Sequence, residues 1–263
     1  MRIVVSALVA AFSLTACTTI TEPADGNVEV YDPWEGWNRG VYQFNETVDK
    51  AAIGPVARTY KAATPGFFRD GVTNFLTNLR QPVVFANTVL QGNADASAHT
   101  VSRFLINTTV GVVGVFDVAS ELGVDKHDED FGQTLGVWGV DEGPFLMLPI
   151  MGPSNLRDTF GRGVDNAFDP LNWTEFEDPD LDDEISVGRA VIGAISTRAR
   201  LDEQIETLRE QPEPYIALRR NYTSQRKAAV RNGQIEEDPY KDLPEFDAIE
   251  GSEEESGPAQ KQE

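Results

Sequence analysis

The chain has 263 residues, 40% of them hydrophobic, enough for one generous domain or two small ones around a real core. Its 43 acidic residues against 22 basic ones give a formal charge of -21, which speaks against nucleic acid and against broad adsorption to an anionic membrane surface. A single cysteine excludes an internal disulfide framework.

The first element is an export signal over residues 1–16. Arg2 supplies a short basic start, residues 3–14 an apolar run, and small residues precede Cys17. The run is too short for a permanent span, which needs about 20 apolar residues. Leu14-Thr15-Ala16-Cys17 reads as a lipobox, in which cleavage before the cysteine frees an amino group and the thiol takes a diacylglycerol. An ordinary signal with a chance cysteine is the alternative. Acylation also disposes of a thiol that nothing inside an exported chain could pair with. A diacylglycerol and an N-acyl chain on Cys17 would anchor stably, since two lipid signals already suffice. Thr18 stands where an aspartate would favour inner-membrane retention, so the outer membrane is the expected destination. The polar, aperiodic residues 17–30 read as a lipidated flexible tether.

A folded region is expected over residues 31–233. Asp32-Pro33-Trp34-Glu35 offers an N-cap carboxylate, a proline at the first helical position and a glutamate at the third. The stripe that follows, Trp34, Trp37, Val41, Phe44 and Val48, predicts an amphipathic helix with an aromatic face. Val72, Phe75, Leu76, Leu79, Val83, Ala86 and Leu90 predict a second helix over about 70–90, bent at Pro82 and stopped at Gly92. A third starts near Asp95 and runs through Ala98, Val101 and Leu105. The apolar residues 110–116 carry Gly111 and Gly114, and read either as buried packing or as a place where a backbone or acyl chain approaches closely.

Residues 131–163 mix strong apolarity with many glycines and prolines, which excludes a long regular helix there. Phe145-Leu146-Met147-Leu148-Pro149-Ile150-Met151 is too apolar for an exposed loop and reads as core, interfacial or re-entrant. After turns at Asp169-Pro170 and Asp178-Pro179, one long helix is expected over about 183–209, ended by Pro212 and Pro214. A last one over 215–232 carries Arg219, Arg220, Arg226, Lys227 and Arg231, cations of the kind that usually form a solvated face. Residues 234–263 are acidic and poor in apolar side chains, and read as a disordered tail. No run of alternating strands is evident, so the fold class is all-α.

Catalytic material is thin. The one cysteine is consumed by acylation, and His99 and His127 lack metal-ligand spacing. His127-Asp128-Glu129-Asp130 lacks the glycine and terminal glutamate of a calcium loop and reads as a solvated turn. No phosphate-cradling loop and no Gly-x-Ser-x-Gly elbow occur, so the reading is no enzyme and no cofactor.

Several segments in order carry a resemblance: Asp32-Pro33-Trp34-Glu35-Gly36-Trp37-Asn38-Arg39, Tyr42-Gln43-Phe44-Asn45, Asn74-Phe75-Leu76-Thr77-Asn78-Leu79 with Pro82, and Arg103-Phe104-Leu105-Ile106-Asn107-Thr108. They continue with Phe131-Gly132-Gln133-Thr134-Leu135-Gly136, Gly139-Val140-Asp141-Glu142-Gly143-Pro144, Leu148-Pro149, Gly152-Pro153 and Leu156-Arg157-Asp158. Together they resemble the MlaA (VacJ) family of outer-membrane lipoproteins.

The resemblance implies a ring-like bundle of amphipathic helices in the inner leaflet of the outer membrane of a Gram-negative bacterium, on the periplasmic side, with a central amphipathic pore. It implies removal of mislocalised phospholipids from the outer leaflet, their transfer to a soluble periplasmic carrier of the MlaC type, and docking beside a trimeric porin. The family's mobile gating loop falls on Gly139, Asp141 and Gly143, with Asp141-Glu142 departing from it by their acidity. Membrane-facing or pore-lining positions are expected at Trp34, Trp37, Phe44, Asn45, Phe145, Leu146 and Leu148. The competing reading is an envelope lipoprotein that scaffolds porins without moving lipid. A lipid hydrolase is disfavoured for want of a nucleophile and base.

Overall fold

The computed structural model describes residues 30–170 and 179–232. The signal, Cys17, most of the tether, Asp178 and the acidic tail lie outside the described residues. Ten α-helices and one β-hairpin follow in order: α1 (Glu35–Val48), α2 (Gly54–Ala63), α3 (Gly66–Leu90), α4 (Ala94–Thr109), α5 (Val118–Glu121), α6 (Phe131–Val137), β1 (Phe145–Leu148), β2 (Gly152–Asn155), α7 (Leu156–Phe168), α8 (Pro179–Arg200), α9 (Asp202–Arg209) and α10 (Pro214–Val230). The expected mostly helical architecture is present, with one short two-stranded hairpin added to it.

The chain runs from α1 into α2 through a π-helical turn, Asp49–Ile53. Such turns are rare and concentrate where a helix must accommodate an extra demand. Here the demand is electrostatic: the Asp49 carboxylate accepts from Arg198 at 2.7 Å and from Arg209 at 2.6 Å. Sequence reading assigned nothing to this stretch. Thr64, extended before Pro65, ends α2 as a residue preceding proline should. Helix α3 continues through Pro82 over 25 residues. Side-chain caps fall where short polar residues precede helices: Asn93 accepts from the Ala96 amide, Asp130 from Gln133 and Asn155 from Asp158.

Asp32 does not cap α1. The helix begins at Glu35 with Trp34 at the N-cap, and the Asp32 carboxylate instead accepts from Asn38 Nδ2 at 2.8 Å, Tyr215 OH at 2.5 Å and Arg219 at 2.8 Å. The helix expected over 183–209 is two, α8 and α9, meeting at Leu201. The cations of α10 are not all solvated: Arg219 and Arg226 are largely buried and reach across to Asp32, Asp130 and Asp158.

The hairpin pairs Phe145 with Asn155 and Leu148 with Gly152 in antiparallel register. Its tip holds Ile150 at φ +66°, unusual for a β-branched residue. Asn45 of α1 fixes it, donating to the Leu148 carbonyl at 2.9 Å and accepting from the Ile150 amide at 2.7 Å. The apolar core is small: Val41, Phe145, Met147 and Tyr215, with Tyr42, Ile216, Leu218 and Tyr222 against it. Phe145 meets Tyr215 and Tyr222 edge-on, both at 6.2 Å between ring centres.

Among the described residues, more polar and charged side chains are buried than hydrophobic ones. Along α3 the inward side chains include Asn78, Gln81, Asn87 and Thr88, while Phe67, Phe68, Phe85, Val89 and Leu90 stand exposed. The run 110–116 is exposed as well, Val110 by 66% and Phe116 by 60%, which rules out its reading as buried packing. Its glycines serve backbone approach: at Gly114, φ +89°, a Cβ would lie 2.3 Å from that of Asn78. No described helix is long and apolar enough to cross a membrane.

Candidate functional site

The polar face of α3, the residues before α6 and the middle of α8 enclose a half-open cavity of about 260 Å3. Helix α3 contributes Thr73, Leu76, Thr77, Arg80, Gln81 and Val84, the connecting segment Lys126, His127 and Asp128, and α8 Gly193, Ser196, Thr197 and Arg200. On α3 the residues recur at three- and four-residue steps, so one face of one helix forms a wall. The wall mixes hydroxyls, an amide and cations with Leu76 and Val84. Thr73 and Ser196 join α3 to α8 through their hydroxyls at 3.2 Å.

A smaller cavity of about 10 Å3 shares Thr77, Gln81 and Lys126 with the first and reaches Asn78, Arg103, Asn107 and Asp117. That is about the room of one water. Three buried polar atoms around it have no protein partner, Asn78 Oδ1, Gln81 Oε1 and Arg103 Nε. Buried polar atoms without partners are uncommon, and three at one place mark a site built to meet water or a polar group of a ligand.

The floor of this region is rigid. Arg103, 3% exposed, holds Asp117 through two bonds of 2.7 and 2.8 Å and the Val124 carbonyl at 2.6 Å. Burial pushes the Asp117 carboxyl up, but hydrogen bonds from Ser120, Asn107 and Arg103 outweigh it and hold its pKa at about 2.

The segment expected as a solvated turn is only partly so: Asp128 is exposed, His127 and Asp130 are half-buried and Glu129 is buried. Glu129 is 6% exposed, accepts from Gln91 at 2.9 Å, and is pushed above the usual carboxylate range by burial and by the charges of Asp130 and Asp128. Asp130 is clamped by Arg226 at 2.7 and 2.9 Å. His99 Nδ1 and His127 Nε2 lie 3.3 Å apart, and the ring centres 5.5 Å, the nitrogen separation plus about one ring radius on each side. The near-coplanar rings therefore meet edge to edge, one nitrogen donating to the other. No group of three or more candidate metal ligands occurs among the described residues.

The residues singled out from sequence fall in different places. Trp34, Trp37 and Phe44 are exposed, Trp37 by 69%. Asn45 is the clamp on the hairpin. Leu146 and Leu148 are half-buried. Phe145, expected at the membrane or the pore wall, is 1% exposed, because β1 turns it into the core against Tyr215 and Tyr222.

Gly139 and Gly143 sit at φ +86° and +67° on the loop between α6 and β1, with Asp141 exposed between them. Arg157 holds this loop through the carbonyls of Val140 and Glu142, and neither cavity counts it in its wall. Arg80, Gln81, Lys126 and Arg200 were missed by sequence reading. The polar repeat Thr73, Thr77, Gln81 was visible, but it lies opposite the apolar stripe that defined the helix.

Comparison with known proteins adds the decisive observation: the model of the MlaA lipoprotein family matches residues 30–229, nearly the whole folded region. The chain belongs to the MlaA family. Among its relatives is the intermembrane phospholipid transport system lipoprotein MlaA of Escherichia coli, 34% identical over 208 residues, covering 78% of this chain and 80% of the relative. The protein of the same name from Haemophilus influenzae is 30% identical over 240 residues, covering 90% and 93%. An uncharacterized protein of Rickettsia typhi is 37% identical over 209 residues, covering 79% and 81%. A chain solved in work on the structural basis for maintenance of bacterial outer membrane lipid asymmetry superposes with a TM-score of 0.67 at 33% identity, covering 76% of this chain and 98% of that one. The MlaA motif Phe131-Gly132-Gln133 lies at a tight crossing of α6 and α7, where a Cβ on Gly161 would come within 2.4 Å of the Gly132 amide.

Proposed function

We propose that this protein is an outer-membrane lipoprotein, acylated on Cys17, that takes mislocalised phospholipid from the outer leaflet and passes it to a soluble periplasmic carrier. The helices ring a half-polar opening, the periplasmic side faces the carrier, and a trimeric porin stands beside it. One observation carries this reading: the polarity of the body is reversed, with amides, hydroxyls and cations turned to an internal cavity and Trp34, Trp37, Phe44, Phe67, Phe68 and Phe85 turned outward. In water that arrangement is costly. Against acyl chains it is the favourable one, because the outward rings leave water and the inward polar groups keep theirs.

The physical problem is the barrier. Two acyl chains carry roughly 30 methylenes, and at about 0.8 kcal/mol each their exposure to water costs on the order of 25 kcal/mol. A body that offers apolar walls to the tails and polar groups to the headgroup removes most of that. Nothing in the described residues resembles a nucleotide-hydrolysing loop, so direction comes from the partners. The names of the relatives, which describe intermembrane phospholipid transport, support the same reading.

The test is recovery of the protein in detergent with phospholipid still bound, read by mass spectrometry. A monodisperse body that stays in solution without detergent and without lipid overturns it. Bulkier residues at Gly139 and Gly143 separate a conduit from a porin scaffold: a conduit accumulates outer-leaflet phospholipid, whereas a scaffold keeps porin contact and shows no change.

A further inference from the structure

Cations are scarce in this chain, 22 against 43 acids, and most of the buried ones are committed. Arg103, Arg198, Arg209, Arg219 and Arg226 each hold at least one carboxylate. The cavity between α3 and α8 departs from that pattern. Lys126 and Arg200, both exposed at its mouth, line it with no ion pair to an acid among the described residues. Arg80 joins them, held to Asp128 at 3.3 Å by a pair that is half exposed on one side and 71% exposed on the other, a contact easily given up. Three cations thus face one carboxylate. Beside them Gln81, 4% exposed, lines both cavities with its Oε1 unpartnered.

We propose that this cavity is a headgroup subsite that prefers an anionic phosphodiester bearing a hydroxyl, as in phosphatidylglycerol, over a zwitterionic headgroup ending in an ammonium, as in phosphatidylethanolamine. This deepens the conduit reading and rests on it. Lys126, Arg200 and Arg80 take the phosphate charge. The orphan Gln81 carbonyl accepts from the headgroup hydroxyl. A neutral donor suits it, whereas an ammonium there would be flanked by Arg80 and Lys126 and find only Asp128. At about 260 Å3 the cavity lies below the range of pockets that enclose a whole drug-sized ligand, so it admits a headgroup while the chains remain outside, against the exposed apolar faces.

The experiment uses the full acylated protein in detergent, offered equal amounts of phosphatidylglycerol and phosphatidylethanolamine, with the bound ratio read by native mass spectrometry. The expected result is a several-fold excess of phosphatidylglycerol, falling to parity or reversing in the Lys126→Glu/Arg200→Glu double variant, whose melting temperature stays at the parent value because neither side chain holds the fold together. Gln81→Leu should bind the two anionic lipids phosphatidylglycerol and phosphatidic acid alike where the parent favours the first. Equal binding of phosphatidylglycerol and phosphatidylethanolamine by the parent, or a preference that survives the double charge reversal, overturns the subsite while leaving the conduit standing. No bound lipid of either kind overturns both. Inorganic phosphate that raises the melting temperature of delipidated protein as much as phosphatidylglycerol does would assign the site to free phosphate and overturn the lipid assignment.

Discussion

The side-chain amide of Asn38, fully buried in α1, donates to the carbonyl oxygen of Phe145 at 3.0 Å, 107 residues along the chain. Its Oδ1 accepts from the Met147 amide at 2.8 Å, so one side chain completes the inner edge of β1 as a neighbouring strand would. Asn38→Ala should cost about 2–4 kcal/mol, since a buried carbonyl, a buried amide and the Asp32 carboxylate all lose a partner. Thermal unfolding in detergent reads it, and a shift within error of zero would show that water replaces the side chain.

Arg226 of α10 bridges two carboxylates, Asp130 before α6 at 2.7 Å and Asp158 in α7 at 2.7 Å. Arg226→Met takes from Asp130 the cation that clamps it, while Asp158 keeps Arg157 at 3.2 Å and the Tyr222 hydroxyl, and should cost about 3 kcal/mol, whereas an exposed pair such as Arg39 with Glu213 should cost less than about 1 kcal/mol. Paired denaturation of the two variants decides between these magnitudes.

The same contact sets an acid dependence. Burial raises the Asp130 carboxyl, but Arg226 overcomes it and holds the pKa at about 2, below the unfolded value near 3.9. A depressed carboxylate stabilises the fold above its unfolded pKa, and that contribution fades as pH falls toward the folded value. For Asp130 it amounts to roughly 2–3 kcal/mol. Asp130→Asn should therefore flatten the stability profile between about pH 4 and pH 2. Acid titration of the melting temperature checks it, and unchanged curvature would contradict it.

The edge-to-edge contact of His99 with His127 needs one neutral acceptor nitrogen. Burial, then the neighbouring His99 and the Arg103 charge, hold His127 below its ordinary value, against Asp125, which raises it. A depressed imidazole stabilises the fold above the unfolded value of about 6.5 and loses that contribution as pH falls. Glu129, Glu142 and Asp165, raised by burial, run the opposite way, so the comparison must be made between parent and variant. His127→Gln should make the melting temperature less sensitive between about pH 7.5 and pH 5.5. An identical slope in both proteins would place the pair outside that response.

Trp37, 69% exposed, is more open than Trp34 or Trp138 and tests whether the outward aromatic face meets lipid. With the other tryptophans replaced by phenylalanine, brominated acyl chains should quench its emission in reconstituted vesicles. Emission insensitive to bromine and quenched by aqueous iodide would put that face in water.

Sequence alone carried the family, through motifs spread in order over the folded region, and it carried most helix positions, through apolar period and stop signals. It also showed the charge imbalance, and it predicts an export signal over residues 1–16. It did not show which face of each helix turns inward, because a period reports that two faces differ and leaves open which of them meets the interior when the surroundings can be lipid. Thus the stripe from Val72 to Leu90 places α3, while the cavities are lined mainly by its polar side chains Thr73, Thr77, Asn78 and Gln81, with Leu76 and Val84 among them. Nor could spacing reveal that Asp32 would leave the end of α1 for Tyr215 and Arg219, or that the last helix would drive Arg226 between Asp130 and Asp158. Those pairings join residues 68 to 187 positions apart, and only the folded backbone, by removing water from both partners at once, makes each carboxylate choose its cation.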